Sequence, residues 1–270
     1  FDLGVGAIVG SAIFNILVIP AASALSQRRE LGASRTLVYK EAQFYMLAVS
    51  VLLLTFAFAV IYDPADNGRL VGTMTRPLAL VPVGLYGLYV FIQYQDLADH
   101  DGEPTESVAV GRRWLELAFG LVLIVVAVEG LVRAAIGFGD LLDTPTFVWG
   151  LVVVAAGTSL PDLFVSLRAA SEGPDGGITS MANVLGSNTF DLLVAVPAGV
   201  LIAGTTTVDF AAAVPMMASL TVATLVLFTL LRTDLSLTDR EAYVLLAAYV
   251  AFVGWIGLET VGVVGLLPVG

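Results

Sequence analysis

The chain of 270 residues contains no cysteine, a single histidine and a single lysine, and only 13% of its residues are charged. Without cysteine it forms no disulfide and no thiolate metal site. Soluble domains have about 25% charged and about 45–50% apolar residues, whereas 58% of the residues here are apolar. The scarcity of charge therefore argues against a soluble enzyme, a nucleic-acid binder or a disordered chain.

Motifs of enzyme chemistry are missing as well. The sequence holds no nucleotide-binding glycine loop, no His/Cys cluster of the zinc type, and no pairing of serine with histidine suited to hydrolysis. We therefore expect neither catalytic residues nor a bound cofactor. The single histidine, His100, lies in an acidic stretch and is expected to be solvated, with a pH-sensing or cation-sensing loop as the alternative.

Long apolar runs are what the sequence has instead. A helix needs roughly 20 mostly apolar residues to cross a membrane, and the mean hydropathy of the chain is +0.93. The runs lack the ten-residue alternating strands typical of a transmembrane β-barrel. They predict an all-α polytopic membrane protein with about eight transmembrane helices. The predicted spans lie near residues 3–25, 38–62, 76–94, 114–137, 146–171, 178–204, 209–231 and 240–260.

Basic residues in the connecting segments orient the chain. Nine fall on one side of the membrane and three on the other, and the richer side is expected to face the cytoplasm. The nine are Arg28, Arg29, Arg35, Lys40, Arg112, Arg113, Arg168, Arg232 and Arg240, and the three are Arg69, Arg76 and Arg133. We therefore expect a multi-pass protein of the plasma membrane, with both ends of this chain outside.

Acidic residues account for the formal net charge of −11 and are densest between residues 95 and 113. Gly102 and Pro104 accompany them, which is a composition typical of a linker. This stretch divides the sequence into three predicted units. They are the remainder of a first repeat with three spans (1–94), an acidic cytoplasmic loop (95–113) and a second repeat with five spans (114–270).

Two segments of the chain resemble each other. Residues 9–18 read VGSAIFNILV, residues 185–194 read LGSNTFDLLV, and a proline follows each. Each segment opens a set of three spans, and the first set starts outside whereas the second starts inside. The sets are therefore expected to be inverted repeats, as in many secondary transporters. Chance similarity among helices rich in Gly and Leu is the alternative.

Polar residues inside the fifth predicted span mark a candidate cation site. Thr158, Asp162 and Ser166 recur every four residues and so share one helix face. Pro161 interrupts the hydrogen bonding of this helix, and carbonyls freed at membrane depth must face protein or a cavity. Carboxylate, hydroxyl and carbonyl oxygens are the ligands that Ca²⁺ prefers.

The sixth predicted span carries a second stripe with the same spacing, Asn183, Ser187 and Asp191. A charged carboxylate inside the bilayer is costly unless it is paired, and no Lys or Arg lies at the depth of Asp162 and Asp191. A mobile cation is therefore the expected partner. The alternative is a protonated Asp that hydrogen-bonds between helices.

These motifs resemble a known family. GTSLPD at residues 157–162 and GSNTFD at residues 186–191 are similar to the second α-repeat of the calcium/cation antiporter superfamily, in particular of the sodium/calcium exchangers. GSAIFN at residues 10–15 is similar to the later half of the first α-repeat. Ala12, together with Asp at positions 162 and 191, is closest to the potassium-dependent type.

The resemblance implies a set of oxygen ligands between the two repeats. Asp162 would be the principal Ca²⁺ carboxylate, and Asn15 and Asp191 would be a paired amide and carboxylate that face the centre. The other implied ligands are Thr158 through its backbone or hydroxyl, Ser159, Ser187 and Ser11 as Na⁺ ligands, and Ala155 through its carbonyl.

The resemblance also implies an antiporter with ten helices in two inverted repeats, which exchanges Na⁺ for Ca²⁺ by alternating access, with K⁺ as a further candidate cargo. Family members have two more spans before the position of Phe1, so we expect this chain to be N-terminally incomplete. The implied partners are Ca²⁺, Na⁺ and the lipid bilayer, and not nucleic acid. Two alternatives stay open: a proton/cation antiporter on the same fold, and a non-transporting membrane subunit.

Overall fold

The computed structural model describes residues 2–27, 30–65, 70–98, 110–173 and 175–267. Helices dominate these residues. They are α1 (Asp2–Ser26), α2 (Ala42–Tyr62), α3 (Arg76–Ala98), α4 (Val110–Leu142), α5 (Thr146–Trp149), α6 (Ala155–Thr158), α7 (Leu160–Ser171), α8 (Gly176–Phe190), α9 (Val196–Ala203), α10 (Phe210–Asp234) and α11 (Asp239–Thr260). Three π-helical turns precede α2, join α5 to α6 and join α8 to α9: Leu37–Glu41, Gly150–Val154 and Asp191–Ala195.

Seven helical segments among the described residues are long and apolar enough to cross a membrane, and one bent pair brings the number to eight. They follow the predicted runs in order, so the prediction of an all-α polytopic membrane protein is confirmed. The segments are Gly6–Ser26, Leu37–Tyr62, Arg76–Gln95, Gly111–Leu142, the pair Gly150–Thr158 and Leu160–Ser171, Gly176–Ala203, Phe210–Asp234 and Asp239–Thr260.

The spans differ in how deeply they are buried. The most apolar stretch of α1 is 78% buried inside the protein, whereas none of the corresponding stretch of α4 is. The first span is therefore the centre of the bundle, and α4 lies at its edge. Residues 99–109, which include His100 and most of the acidic loop, lie outside the described residues, so the division into 1–94, 95–113 and 114–270 stays a prediction.

Two small antiparallel sheets tie the helix ends together, and the sequence did not predict them. β1 (Leu31–Gly32) pairs with β4 (Ser236–Leu237), and β2 (Val71–Thr75) pairs with β3 (Thr205–Asp209). The two sheets lie at opposite ends of α2, because β1 precedes this helix in the chain and β2 follows it. α1 leads into the sheet of β1, whereas α9 leads into the sheet of β3 at the other end. The first and sixth spans therefore run in opposite directions, as inverted repeats require.

Each of the two similar segments is linked to the other set of three spans by one aromatic pair. Phe14 of α1 meets Tyr249 of α11 edge to face, with ring centroids 5.5 Å apart, and Phe190 of α8 meets Tyr86 of α3 in the same manner at 5.7 Å. Such pairs add about 0.5–1.5 kcal/mol beyond the area they bury. Because Phe14 and Phe190 stand at equivalent positions in the two segments, the same contact occurs twice, once on each side of the bundle.

A glycine lets α1 approach the fifth span. A Cβ built on Gly10 would overlap the carbonyl oxygen of Leu151 and lie 2.8 Å from the Cβ of Ala155. The obstructing carbonyl belongs to the backbone of the π-helical turn and cannot move aside as the end of a flexible side chain can. Only glycine therefore allows this contact between α1 and the fifth span.

We expect the variant Gly10→Ala to unfold at a lower temperature than the unmodified protein, because overpacking a tight contact costs about 1–3 kcal/mol. Gly84→Ala in α3 is the matched control, since nothing lies within 4 Å of a Cβ at that position. Alanine there should keep or raise the melting temperature because it favours the helix. Thermal unfolding in detergent measures both, and equal melting temperatures for the two variants would contradict the close packing at Gly10.

Candidate cation site

A break in the fifth span sets the position of the first carboxylate. α6 ends at Thr158, α7 begins at Leu160, and the helix axis bends by 46° between them. Pro161 lies in the first turn of α7, where its missing N–H leaves no internal hydrogen bond unmade. Asp162 follows in the same turn, where the N-terminal end of a helix stabilises negative charge.

Asp162 lies where three helices meet. Its Oδ2 accepts a hydrogen bond of 2.6 Å from Ser187 Oγ on α8 and one of 3.3 Å from Asn15 Nδ2 on α1. The side chain is half-buried. In the part of the chain that the structure describes, no Lys or Arg forms an ion pair with it, so its negative charge is met by neutral donors alone.

The polar stripes of the fifth and sixth spans lie against each other. Besides the bond between Ser187 and Asp162, Asn183 Nδ2 donates to Ser166 Oγ at 3.0 Å. Both contacts join α7 to α8, which follow each other along the chain and pack side by side. The four-residue spacing of each stripe therefore does bring its members to one interface.

Thr158 and Ala155 lie on the other side of the break. The hydroxyl of Thr158 donates to the carbonyls of Val154 at 2.9 Å and Ala155 at 3.1 Å, both within its own helical turn. Ala155 is fully buried. These two predicted ligands therefore contact each other, and no hydrogen bond joins either of them to Asp162.

A buried pair of hydroxyls joins α1 to the break itself. Ser11 Oγ and Ser159 Oγ lie 2.7 Å apart, and both residues are buried. One of the two hydroxyls donates to the other, which leaves lone pairs on both oxygens for a further partner. The two predicted Na⁺ ligands are therefore in direct contact across α1 and the fifth span.

An amide at the crossing of α1 and α8 fixes the geometry of the site. Asn188 is fully buried, and its Nδ2 donates to the carbonyl of Ala12 at 3.0 Å and to the hydroxyl of Tyr45 at 3.3 Å. A carbonyl can only accept, so the amide nitrogen of Asn188 must face Ala12. The amide oxygen of Asn188 then faces Asn15, whose Nδ2 donates to it at 2.9 Å.

Among the described residues, the hydrogen bonds around Asn188 leave one buried side-chain oxygen without a partner. Both neighbours of the Asn15 nitrogen, Asn188 Oδ1 and Asp162 Oδ2, are acceptors, so that nitrogen cannot exchange places with the oxygen of the same amide. Asn15 Oδ1 is buried and has no hydrogen-bond partner among the described residues. Buried polar atoms normally have a partner, and a cation at the site would supply one.

Asp191 supplies a second carboxylate. It stands at the start of the π-helical turn that follows α8 and is half-buried. It lies one helical turn beyond Ser187, whose hydroxyl donates to Asp162, so both carboxylates belong to the same region of the bundle. No hydrogen bond joins its side chain to another described residue, so it differs from Asp162 in lacking neutral donors.

Neutral oxygens outnumber charges in this site. In the described ranges, no group of three or more His, Cys, Asp or Glu side chains is arranged to hold a metal ion. Two carboxylates, three serine hydroxyls and an unpaired amide oxygen remain, all of them ligands for hard cations such as Ca²⁺. Few charged ligands make a cation site weaker, which suits an ion that binds and leaves.

Sequence reasoning missed two residues that organise the site, Asn188 and Tyr45. A signal for Asn188 was present, because it is a polar residue in the sixth span at the position where the first segment has Ala12. Tyr45 carried no such signal, because it is one of several aromatic residues in α2. Only the packing of α2 against α8 places its hydroxyl beside Asn188.

Comparison with known proteins matches the family described as "Sodium/calcium exchanger protein" to residues 1–95 and 113–258. The putative antiporter CaxA of Alkalimonas amylolytica is 27% identical over 204 residues, which cover 75% of this chain and 61% of CaxA. The chain thus spans less than two thirds of the length of this relative.

Two solved structures share the fold. One is the sodium-calcium exchanger NCX_Mj, soaked with Na⁺ and Sr²⁺, with a TM-score of 0.63 and 23% identity over 94% of this chain and 76% of that one. The other is the H⁺/Ca²⁺ exchanger CAX, with a TM-score of 0.66 and 13% identity over 97% of this chain and 70% of that one. At these identities the likeness establishes the fold and nothing finer.

We expect Asn188→Ala to weaken the binding of cations at this site, because Asn15 would lose the acceptor that orients its amide. Thr189→Val is the matched control, since Thr189 is the next buried residue and donates only to Leu185 O in its own helix. The rise in melting temperature on adding Ca²⁺ reports affinity. Loss of about one hydrogen bond, or about 1 kcal/mol, corresponds to roughly fivefold weaker binding. An unchanged affinity for Asn188→Ala would remove Asn188 from the site.

Proposed function

The chain belongs to the sodium/calcium exchanger protein family, and we propose that the full-length protein is a secondary active antiporter of the plasma membrane that exchanges Na⁺ for Ca²⁺ by alternating access. The family is one of transporters rather than catalytic enzymes. The observation that carries the proposal is the convergence of α1, α7 and α8 on Asp162, with Asn15 Oδ1 buried beside it and unpaired.

The arrangement of oxygens suits Ca²⁺ and Na⁺ together. Both are hard cations that take oxygen ligands, so one site can serve either. The two carboxylates, Asp162 and Asp191, favour the divalent ion by charge. The hydroxyl pair of Ser11 and Ser159 is neutral, which suits a monovalent ion. Several Na⁺ ions spread over such subsites can replace one Ca²⁺, with K⁺ as a further candidate cargo.

The roles of the individual ligands follow from their surroundings. Asp162 is the principal Ca²⁺ carboxylate, since it lies in the first turn of α7 and also accepts hydrogen bonds from α1 and α8, so three helices position it. Asn15 contributes its amide oxygen. The remaining proposed ligands are Asp191, Ser187, Ser159, Ser11, Thr158 and Ala155.

Alternating access requires one part of the protein to move against another around a fixed site. α4 is the proposed mover. Its most apolar stretch is not buried at all, and nothing lies within 4 Å of a Cβ built on Gly130 or Gly137, so no neighbour packs against the helix at these two positions. The two proposed repeats, residues 1–94 and 114–270, would provide the framework around the site.

The first test removes the charge of the principal carboxylate. Asp162→Asn should abolish Ca²⁺ uptake driven by an outward Na⁺ gradient, because a neutral amide cannot balance a divalent cation inside the membrane. The measurement is radioactive Ca²⁺ uptake into vesicles that contain the full-length protein. Asp140→Asn makes the same chemical change at an exposed position in α4 and should transport normally. Normal uptake by Asp162→Asn would refute the assignment of the site.

A second variant tests the role of the other carboxylate. Asp191→Asn should change the dependence of Ca²⁺ transport on Na⁺ or K⁺ concentration, because it replaces a carboxylate one turn beyond Ser187 with a neutral amide and breaks no hydrogen bond between described residues. The half-saturating concentration of each ion, measured in the same vesicles, is expected to shift at least about threefold, which is less than 1 kcal/mol. Unchanged half-saturating concentrations for both ions would place Asp191 outside the site.

Coupling to protons is the second candidate. The presence of two carboxylates inside the spans, Asp162 and Asp191, favours it, since buried carboxylates in transporters can carry protons as well as bind cations. The same vesicles separate the candidates. Na⁺/Ca²⁺ exchange predicts uptake with a Na⁺ gradient at equal pH on both sides, whereas proton exchange predicts uptake with a pH gradient and no Na⁺. Absence of both activities in the full-length protein would favour a non-transporting membrane subunit.

A further inference from the structure

Three helix ends meet on the side of the membrane that the basic residues predict to be cytoplasmic. They are the start of the second span, the end of the third and the end of the seventh, which line two cavities that share Tyr39. The pairing of β1 with β4, together with a hydrogen bond of 2.7 Å from Ala33 N to Leu235 O, holds the α1–α2 connection against the end of α10. This contact brings Arg35 and Arg232, which are far apart in sequence, to one cavity.

That cavity has a volume of about 320 Å³ and is basic. Its lining residues are Arg35, Tyr39, Arg232, Thr233, Asp234 and Leu235. Arg232 lies over the ring of Tyr39, with its guanidinium carbon 5.9 Å from the ring centroid. Neither Arg35 nor Arg232 forms an ion pair with a described carboxylate, and both are exposed. The lining itself holds two guanidinium groups and one carboxylate, that of Asp234, so its own net charge is positive. The carboxylate of Glu241 reaches Thr233 at 3.4 Å, but it does not line the cavity and is bonded to Thr238.

Tyr39 separates this basic cavity from an apolar groove between α2 and α3. The groove has a volume of about 470 Å³, and its apolar walls include Tyr39, Phe44, Leu47, Tyr89 and Ile92. The carboxylate of Glu41 accepts from Tyr89 OH at 3.2 Å and from Gln93 Nε2 at 2.8 Å. Because this carboxylate already has two donors and lies beside Lys40, the groove carries little net charge.

We propose that the basic cavity and the apolar groove together bind one anionic phospholipid, with its phosphate between Arg35 and Arg232 and an acyl chain along α2 and α3. Guanidinium groups bind phosphate through paired hydrogen bonds. Tyr39 and Lys40 lie in the first turn of the second span, which is the level of the lipid head groups. The exposed side chain of Leu47, two turns further along α2, continues the groove towards the hydrocarbon.

The depth and the charge pattern of the site favour a lipid over a soluble anion. A free phosphate would fill only the basic cavity and leave the adjoining apolar groove exposed to water. Basic pockets between transmembrane helices on the cytoplasmic side bind anionic lipid head groups. The site is separate from the candidate cation site, so the proposal holds whether or not the protein exchanges Ca²⁺.

Native mass spectrometry of the purified full-length protein tests the proposal, with phosphatidylglycerol and phosphatidylcholine supplied at equal concentration in detergent. We expect retention of phosphatidylglycerol over phosphatidylcholine. The double variant Arg35→Gln/Arg232→Gln should weaken that retention about tenfold or more, since each basic residue near the membrane surface contributes about 1 kcal/mol. Arg168→Gln/Arg240→Gln is the matched control, because it removes two exposed arginines from the same predicted side and should retain the lipid.

The outcomes are distinct. Equal retention of the two lipids would overturn the proposal, because it would show that the protein does not select the anionic lipid. Equal loss of phosphatidylglycerol in both double variants would also overturn it, because it would show only a general attraction between charges. A third arm adds excess inorganic phosphate. Displacement of phosphatidylglycerol by phosphate alone would mean that the site binds a soluble anion, and would also overturn it. Retention in the presence of phosphate, lost only in Arg35→Gln/Arg232→Gln, is the expected result.

Discussion

Where α1 crosses α8, the amide of Asn188 binds the carbonyl of Ala12 and the amide of Asn15 at a place from which water is excluded. Each buried polar atom there needs a partner, since an unmet donor or acceptor costs about 1–3 kcal/mol. The carbonyl of Ala12 accepts and cannot donate, so it fixes the orientation of Asn188, which in turn fixes that of Asn15. The unpaired oxygen of Asn15 and the contact with Asp162 both result from this one constraint.

The rest of the bundle keeps that crossing in place from both ends. The two small sheets hold the connections of the first three spans against those of the last three, one sheet at each end of α2. The edge-to-face pairs of Phe14 with Tyr249 and of Phe190 with Tyr86 also join the first three spans to the last three, between the two sheets. The two halves are not equivalent, however. Asn188 of α8 stands where α1 has Ala12, so the amide that binds a backbone carbonyl across this crossing comes from α8 and has no counterpart in α1.

Much of this fold could be predicted from the sequence. Apolar runs located all eight spans, because length and hydropathy alone decide which segments can enter a bilayer. Pro161 indicated the break in the fifth span, because a proline inside a helix removes an N–H and clashes with the preceding turn. The small sheets could not be predicted, since β1 and β4 are two-residue strands that pair across the whole chain. The π-helical turns likewise left no pattern in the sequence.

For the candidate site, the sequence by itself determined which residues are polar inside apolar spans and which of them share a helix face. Asp162 with Ser166, and Ser187 with Asn183, follow from a spacing of four, because local helix geometry is fixed by the backbone. Only the tertiary structure decided that Ser11 meets Ser159 and that Asn188 orients Asn15. These contacts depend on how closely and at what angle separate helices pack, and that is set by side-chain volume over the whole bundle rather than by any local pattern.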